Sequence, residues 1–365
     1  NQSTRANDAP EHEPGRGNVY LVGAGPGDAE LLTAKGLRCL RRADVVVYDS
    51  QVSAKLLEHT RTDAELVGAS RGAGDDRQTR ERIAQLMVDR ALAGKMVVRL
   101  SAGDAWLFGC AAEEAAALAA AGVNYDIVPG IAPAVAAAAY AGIPLSQGRH
   151  AASVTIVNAA ESDDGDGLQL DWQHLAKGAG TLVIMNGAHN LKAIAEKLLA
   201  VGRGAETPIA VIQGGATPRQ QTHYATLASI ADTASGQLID ASAVIVVGEA
   251  ARIHDHLRWY ERKPLFGTRI VVTRPRGKAS SFAELLEHHG ADVLVRPAIE
   301  PQPLDDYQLL DDAIRRLDGY DWLLFTSVHG VQFFEQRLWR SGRDLRAVGK
   351  AKLCAIGPKT AAALE

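Results

Sequence analysis

The chain has 365 residues, a formal charge of −4, and 47% hydrophobic but only 5% aromatic residues. That length predicts two or three domains, the Ala/Val/Leu/Gly-rich make-up is that of a soluble α/β protein, and the mildly acidic balance argues against a nucleic-acid surface. Cys39, Cys110 and Cys354 have neither disulfide nor metal-ligand spacing, which predicts a reducing, cytoplasmic setting and no bound metal.

Asn1 to Gly17 is polar, Pro/Gly-rich and without an apolar signal core. It is expected to be a disordered tail, and the missing initiating Met leaves the true start open. The strand-like run Val19–Val22 then meets Gly23-Ala-Gly-Pro-Gly-Asp28. Its three glycines allow a sharp bend and a ligand lying against the backbone. A dinucleotide loop of the G-x-G-x-x-G kind would need glycine where Asp28 stands, and Pro26 lacks an amide N–H that a phosphate would use. The loop therefore suits a flat or uncharged ligand better than a pyrophosphate. A nicotinamide oxidoreductase stays as an alternative, since Asp49 ends a second strand as a ribose-binding acid would.

Further strands are expected at Val45–Tyr48 and Val97–Leu100, with helices at Ala29–Arg42, Arg77–Ala93 and Glu113–Ala121. This alternation predicts an α/β fold with a parallel sheet covered by helices. The longest apolar stretch, Ile131 to Leu145, is shorter than the roughly 18 residues of a membrane span and carries Pro133, Gly142 and Pro144. The acidic stretch Glu161–Gly167 reads as an exposed insertion. A second set of strands follows at Ala152–Val157, Thr181–Met185, Pro208–Ile212 and Ala243–Val247, and a charged exit segment, Leu257–Lys263, ends at Pro264. A new βα pattern starts at Arg269–Thr273 and continues through Ser280–His288, Val293–Arg296, Trp322–Phe325 and Lys352–Ala355. It reads as an incomplete domain. His254 with His256, and His288 with His289, lack a third ligand at fixed spacing and read as solvated helix-face histidines rather than metal ligands.

An ordered set of motifs carries a resemblance. Gly23–Asp28, Tyr48-Asp49, Ala102-Gly103-Asp104, Val128-Pro-Gly-Ile131, Ala141-Gly-Ile-Pro-Leu145, Thr217-Pro-Arg-Gln220 and Val247-Gly248-Glu249 together resemble the tetrapyrrole methylase family, within it the uroporphyrinogen-III C-methyltransferases. Val272-Thr-Arg-Pro275, Phe325-Thr-Ser327 with Gly330-Val331, and Gly357-Pro358 with Thr360-Ala361 resemble the start of the uroporphyrinogen-III synthase family. The resemblance implies a methylase fold of two α/β domains with a trough between them, at residues 18–148 and 149–262, followed by part of a synthase-type α/β domain at 266–365.

It also implies that S-adenosylmethionine lies folded in the trough and leaves as S-adenosylhomocysteine. The positions implied to touch it are Pro26, Ala102, Gly103, Asp104, Leu107, Ala132, Pro133, Asn186 and Gly215. The implied reaction methylates uroporphyrinogen III at C2 and C7 to give precorrin-2, for sirohaem or cobalamin, in a cytoplasmic homodimer. Asp49 falls where the family has a proton acceptor, and Glu113 and Arg149 join it as candidate catalytic residues. The family's lysine proton donor is replaced by Ala69, one arginine by Cys110 and another by Gly148, with Arg149 displaced by one. Uroporphyrinogen carries eight carboxylates, which call for local cations; Arg71, Arg149 and Arg219 are candidates to compensate. The same losses motivate two alternatives: a methylase for a later corrin precursor, and a degenerate cofactor-binding module that supports a synthase.

Overall fold

A computed structural model describes residues 17–69, 77–148, 151–160, 170–178, 180–233, 239–240, 242–274, 276–299 and 304–365. The expected tail up to residue 16, the acidic stretch 161–167, Arg71 and Arg149 lie outside the described residues. Internal contacts divide the chain into a unit running to Ile270 together with Leu286–Asp292, and a second unit of Val271–Leu285 with Val293–Glu365.

The first unit opens with a parallel five-stranded sheet: β1 (Val19–Gly23), β2 (Val45–Asp49), β3 (Glu65–Ala69), β4 (Val97–Ser101) and β5 (Tyr125–Val128), in the order β3-β2-β4-β1-β5. Helices α1 (Ala34–Arg42), α2 (Ala54–Leu57), α3 (Arg77–Leu92) and α4 (Ala111–Ala120) make the crossovers. The central strands read as nearly unbroken apolar runs because helices cover both of their faces. Val19, Leu21, Val45, Val47 and Val97 pack against Met87, Val88 and Ala91 of α3 and Ala115 and Leu118 of α4. Val22, Val46, Val98 and Leu100 pack on the other face with Leu40 and Leu56. Thr33 caps α1, its hydroxyl accepting from the Gly36 amide at 3.1 Å, so this helix starts later than its composition suggested.

After β5 the chain enters α5 (Pro133–Tyr140), which starts on Pro133, a residue pre-set for the first helical position. The helix does not return to the first sheet. Its small side chains Ala134, Ala137 and Ala138 lie against Val183, Ala210, Ile212, Val244 and Val246 of a second sheet.

That second sheet comprises β6 (Val154–Asn158), β7 (Thr181–Met185), β8 (Pro208–Gln213), β9 (Gln221–Thr226) and β10 (Val244–Val247), in the order β6-β7-β10-β8-β9. Only β6 and β7 pair in parallel; β10 runs antiparallel to β7 and β8, and β8 antiparallel to β9. The short link from Gln213 to Gln221 is far below the dozen or so residues a parallel crossover requires, so the chain must turn back on itself there. Alternation is strict: Leu182, Ile184, Ile209, Val211, Ile245 and Val247 point to the face that carries α6 (Trp172–Gly178), α7 (Leu191–Ala200) and α8 (Ile230–Thr233). The intervening residues point toward α5. A short helix, α9 (His254–Leu257), leads out of this region.

The second unit continues β11 (Arg269–Val272) with α10 (Arg276–His288), β12 (Asp292–Val295), α11 (Gln308–Arg315), β13 (Trp322–Phe325), α12 (Val328–Arg340), β14 (Lys352–Ala355) and α13 (Pro358–Ala361). β11 pairs with β12, and β13 lies parallel to β14. Ser327 caps α12, its hydroxyl accepting from the Gly330 amide at 3.1 Å. The core is small, with Ile314, Leu317 and Leu338 fully buried, while Trp322 and Leu324 are 58% and 64% exposed.

Candidate functional site

Because the first sheet is parallel, Gly23, Asp49, Ser101 and Val128 all fall at one edge, the carboxyl ends of its strands. In open α/β sheets that edge is where ligands bind. The glycine loop after β1 meets the loop after β4 backbone to backbone. Gly25 N–H donates to Gly103 O at 3.0 Å, Gly103 N–H to Gly25 O at 2.8 Å, and Ala24 N–H to Ser101 O at 2.8 Å. The Val128-Pro-Gly-Ile131 loop closes on the same point. A Cβ on Gly23 would lie 2.6 Å from Gly130 Cα, and one on Gly103 would lie 2.6 Å from Pro133 Cδ. Gly103 also takes φ +70°, a left-handed conformation.

Asp104 is the peg of this junction. Its Oδ1 accepts from the Trp106 and Leu107 amides at 3.0 and 2.8 Å, and its Oδ2 from the Gly130 amide at 2.8 Å. The loop after β8 reaches the first glycine loop from the second sheet: a Cβ on Gly27 would lie 2.6 Å from Thr217 Cγ2. Gly215 packs onto α5, where a Cβ would come within 2.4 Å of Ala137 Cβ. Pro26, Ala102, Gly103, Asp104, Ala132, Pro133 and Gly215 thus sit on loops that touch one another. Leu107 follows on the second loop, 38% exposed. Asn186 stands just past β7 with φ +56°, and its Nδ2 donates to Asn158 Oδ1 at 2.9 Å.

Beneath these loops lies a buried charge cluster that motif reading overlooked. Arg99 is in the middle of β4, in register with Leu21 and Val47, and only 2% exposed. Its Nη2 donates to Asp49 Oδ1 at 2.7 Å, its Nε to Glu114 Oε1 at 2.8 Å and its Nη1 to Leu100 O at 3.2 Å. Asp49 Oδ2 in turn accepts from the Ala102 amide at 3.0 Å. Burial opposes the Arg99 charge, and the Glu114 and Asp49 carboxylates outweigh it, holding the guanidinium above its ordinary range. A signal for this was present: a charge inside an apolar central strand must find buried partners.

Of the expected catalytic residues, Arg149 lies outside the described residues, and Asp49 and Glu113 have different surroundings. Asp49 is at the strand-end edge, engaged at both oxygens. Glu113 is exposed on the outer face of α4, 3.7 Å from Arg80 of α3; its neighbour Glu114 is the carboxylate that turns inward. Ala69 is buried, in register with Asp49, so the lysine position of the resemblance lies beside that carboxylate. Cys110 is half-buried at the start of α4, and Gly148 is exposed with nothing within 4 Å of a Cβ. Arg219 lies 3.8 Å from Asp292.

Asp28, which breaks the dinucleotide pattern, ties the two sheets together. Its Oδ1 accepts from the Glu30 amide at 2.9 Å and its Oδ2 from the Tyr140 hydroxyl at 2.8 Å. Burial, then the Asp28 bond, pushes the Tyr140 hydroxyl well above the usual tyrosine range.

Residues 18–231 match the model of the tetrapyrrole (corrin/porphyrin) methylases. The chain belongs to the tetrapyrrole methylases. Residues 280–365 match the uroporphyrinogen-III synthase HemD model. The methylase is 34% identical over 351 residues to a uroporphyrinogen-III C-methyltransferase of Bacillus subtilis, 96% of this chain and 71% of that protein. It is 34% identical over 349 residues to a porphyrin biosynthesis protein HemD of Ruminiclostridium josui, covering 69% of it. It is 44% identical over 248 residues to siroheme synthase 2 of Yersinia pestis, of which the methylase spans about half (52%). Among solved structures, a Thermus thermophilus uroporphyrin-III C-methyltransferase complexed with S-adenosylhomocysteine aligns with TM-score 0.56 and 32% identity, over 65% of this methylase and 100% of that chain. A cobalt precorrin-4 methyltransferase aligns with TM-score 0.57 and 30% identity, over 64% and 95% of the two chains. Among the described residues no helix is long and apolar enough to cross a membrane, and no group of three or more His, Cys, Asp or Glu is placed to hold a metal.

Proposed function

We propose that this methylase transfers methyl groups from S-adenosylmethionine to C2 and C7 of uroporphyrinogen III, giving precorrin-2. One observation carries the donor half of the reading. Five amides of these loops are already engaged and are not available to a pyrophosphate: Ala24 with Ser101, Gly25 and Gly103 with each other, Ala102 with Asp49 and Gly130 with Asp104. Pro26 has no N–H to give. What remains is a glycine-lined surface of close backbone approach, which fits a folded nucleoside and weighs against a nicotinamide dinucleotide. The acceptor half rests on the likeness to proteins named uroporphyrinogen-III C-methyltransferase and on the synthase match in the same chain.

Pro26, Ala102, Gly103, Asp104, Leu107, Ala132, Pro133, Asn186 and Gly215 would hold the donor. When bound, it supplies an electrophilic methyl on a sulfonium centre. The residues of the chain then act by alignment and water exclusion, and proximity alone can supply about 7–11 kcal/mol of such a barrier. Asp49 we assign first to alignment, because one oxygen holds Ala102 in place while the other neutralises Arg99. Acceptance of the macrocycle's proton is the second reading of Asp49, and Asp49→Asn separates the two. Loss of a proton acceptor lowers kcat about 10²–10⁴-fold and flattens the pH profile; loss of an anchor raises KM for the donor and leaves the profile's shape. Our reading further comprises domains at 18–148, 149–262 and 266–365, a cytoplasmic homodimer, and a route toward sirohaem and cobalamin.

The test is incubation with uroporphyrinogen III and S-adenosylmethionine, followed by mass spectrometry. A product heavier by two CH₂ units, one per methyl gained and proton lost, is expected, and its absence rejects the reading. A later corrin precursor is the second candidate substrate. The observation favouring it is that Ala69, Cys110 and Gly148 carry no charge where the resemblance places cations. A substrate panel scored by S-adenosylhomocysteine release decides between them.

A further inference from the structure

The exit segment Trp259-Tyr260-Glu261 follows the last motif of the resemblance and reads in sequence as a charged connection. In the structure it touches the supports of two loops of the candidate site. The approach is close: a Cβ on Gly142, at φ +73°, would lie 2.5 Å from the Leu257 carbonyl and 2.6 Å from the Arg258 nitrogen. The segment therefore lies directly on the chain leaving α5.

Trp259 Nε1 then donates to Ala139 O at 3.1 Å, in the last turn of α5. Tyr260, 5% exposed, sets its ring edge-on to Tyr140 at 4.7 Å, and Tyr140 is the residue whose hydroxyl holds Asp28. Glu261 turns the other way. Its Oε1 accepts from Gln220 Nε2 at 3.0 Å and from Thr222 Oγ1 at 2.6 Å. Gln220, 3% exposed, is thereby fixed so that its Oε1 accepts the Ala216 amide at 3.1 Å. Ala216 is fully buried at φ +60°, a conformation that a non-glycine residue keeps only when its surroundings enforce it. On either side of it are Gly215, against Ala137, and Thr217, against Gly27.

We propose that Trp259–Glu261 is a strap that positions the methyl-donor site, with Tyr260 acting through Tyr140 on Asp28 and Glu261 acting through Gln220 on Ala216. The inference rests on the reading that these loops hold the donor. None of the strap residues reaches the reacting atoms; they are positioning residues. The orientation of the Gln220 amide is what transmits the effect. An acceptor at 261 engages the Gln220 NH₂ and so reinforces presentation of its oxygen, rather than its NH₂, to the Ala216 amide. The strap thus sets a hydrogen-bond polarity as well as a contact.

The experiment is calorimetric titration of the full chain with S-adenosylhomocysteine, beside steady-state KM and kcat for S-adenosylmethionine. Glu261→Ala is expected to weaken S-adenosylhomocysteine about tenfold, the scale of one buried hydrogen bond left unmade. It should raise KM for the donor while kcat at saturation stays within about twofold. Glu261→Gln keeps an acceptor oxygen and is expected to restore affinity to within about twofold of the parent. The double variant Glu261→Ala with Gln220→Ala should bind no more weakly than Gln220→Ala alone, because the two act in series. Thr222→Val removes one bond to Glu261 and serves where Glu261→Ala does not fold, with a loss of about threefold. A parent chain that binds while Glu261→Ala and Thr222→Val bind as tightly overturns the strap alone. So does a Glu261→Gln variant that loses affinity in step with melting temperature. A parent chain that binds no S-adenosylhomocysteine overturns the donor-site reading and the strap with it.

Discussion

Arg99 donates to Asp49 at 2.7 Å across the centre of the first sheet, with both side chains less than a tenth exposed. Removing the guanidinium would strand two buried carboxylates, Asp49 and Glu114. Arg99→Leu is therefore expected to destabilise the methylase unit by about 3–5 kcal/mol, read as a fall in denaturant midpoint. The triple variant with Leu at 49, 99 and 114 should recover most of that stability, since apolar replacement of a whole buried cluster is often neutral. It should not recover donor binding, because the Ala102 amide has lost its acceptor. Recovery of both would show that the cluster serves stability alone.

Gly103→Ala meets two obstacles at once. An alanine at φ +70° carries about 1–2 kcal/mol of strain, and its Cβ would lie 2.6 Å from Pro133 Cδ. Donor affinity is expected to fall at least about tenfold in calorimetry. Gly342→Ala, also left-handed but open within 4 Å of the added Cβ, should show the strain in stability without that loss of binding.

Tyr140, Tyr224 and Tyr260 are all pushed well above the usual tyrosine range, by burial first. For a group raised in this way the folded state favours the protonated form. The stability is whole below the unfolded value of about 10 and is lost as pH climbs above it. In a spectrophotometric titration the phenolate signal of these three should appear only as the unit unfolds. Phe at 140, 224 and 260 should remove that late step. A late step that persists in the triple variant contradicts the burial of these hydroxyls.

Cys110 stands where the resemblance places an arginine. Cys110→Arg is expected to lower KM for uroporphyrinogen III about three- to tenfold, the scale of one partly screened charge-assisted bond to a carboxylate. KM for S-adenosylmethionine should be unchanged. A KM for uroporphyrinogen III that does not move places the substrate's carboxylates elsewhere.

Every central strand of the first sheet, buried on both faces, was legible in the sequence. Val19–Gly23, Val45–Asp49 and Val97–Ser101 read as apolar runs because helices cover both sides. The strands that escaped, Glu65–Ala69, Tyr125–Val128 and Gln221–Thr226, are all at sheet edges. There one flank is open, and residues such as Glu65, Tyr125 and Gln221 are exposed, so no apolar run marks them. The site shows the same split. Its glycines were legible because close approach leaves no room for a Cβ. Arg99, Tyr140 and Glu261 were not, because each acts on a residue far away in the chain and no local pattern records the partner.

Gly27 rests against Thr217, yet the two belong to opposite ends of the methylase region. A chain made from its N-terminus exposes the first glycine loop long before the residues that cover it have been synthesised. On the donor site proposed above, capture of the methyl donor would follow synthesis of the second sheet and of the segment through Glu261, and would mark the completion of the unit rather than its nucleation.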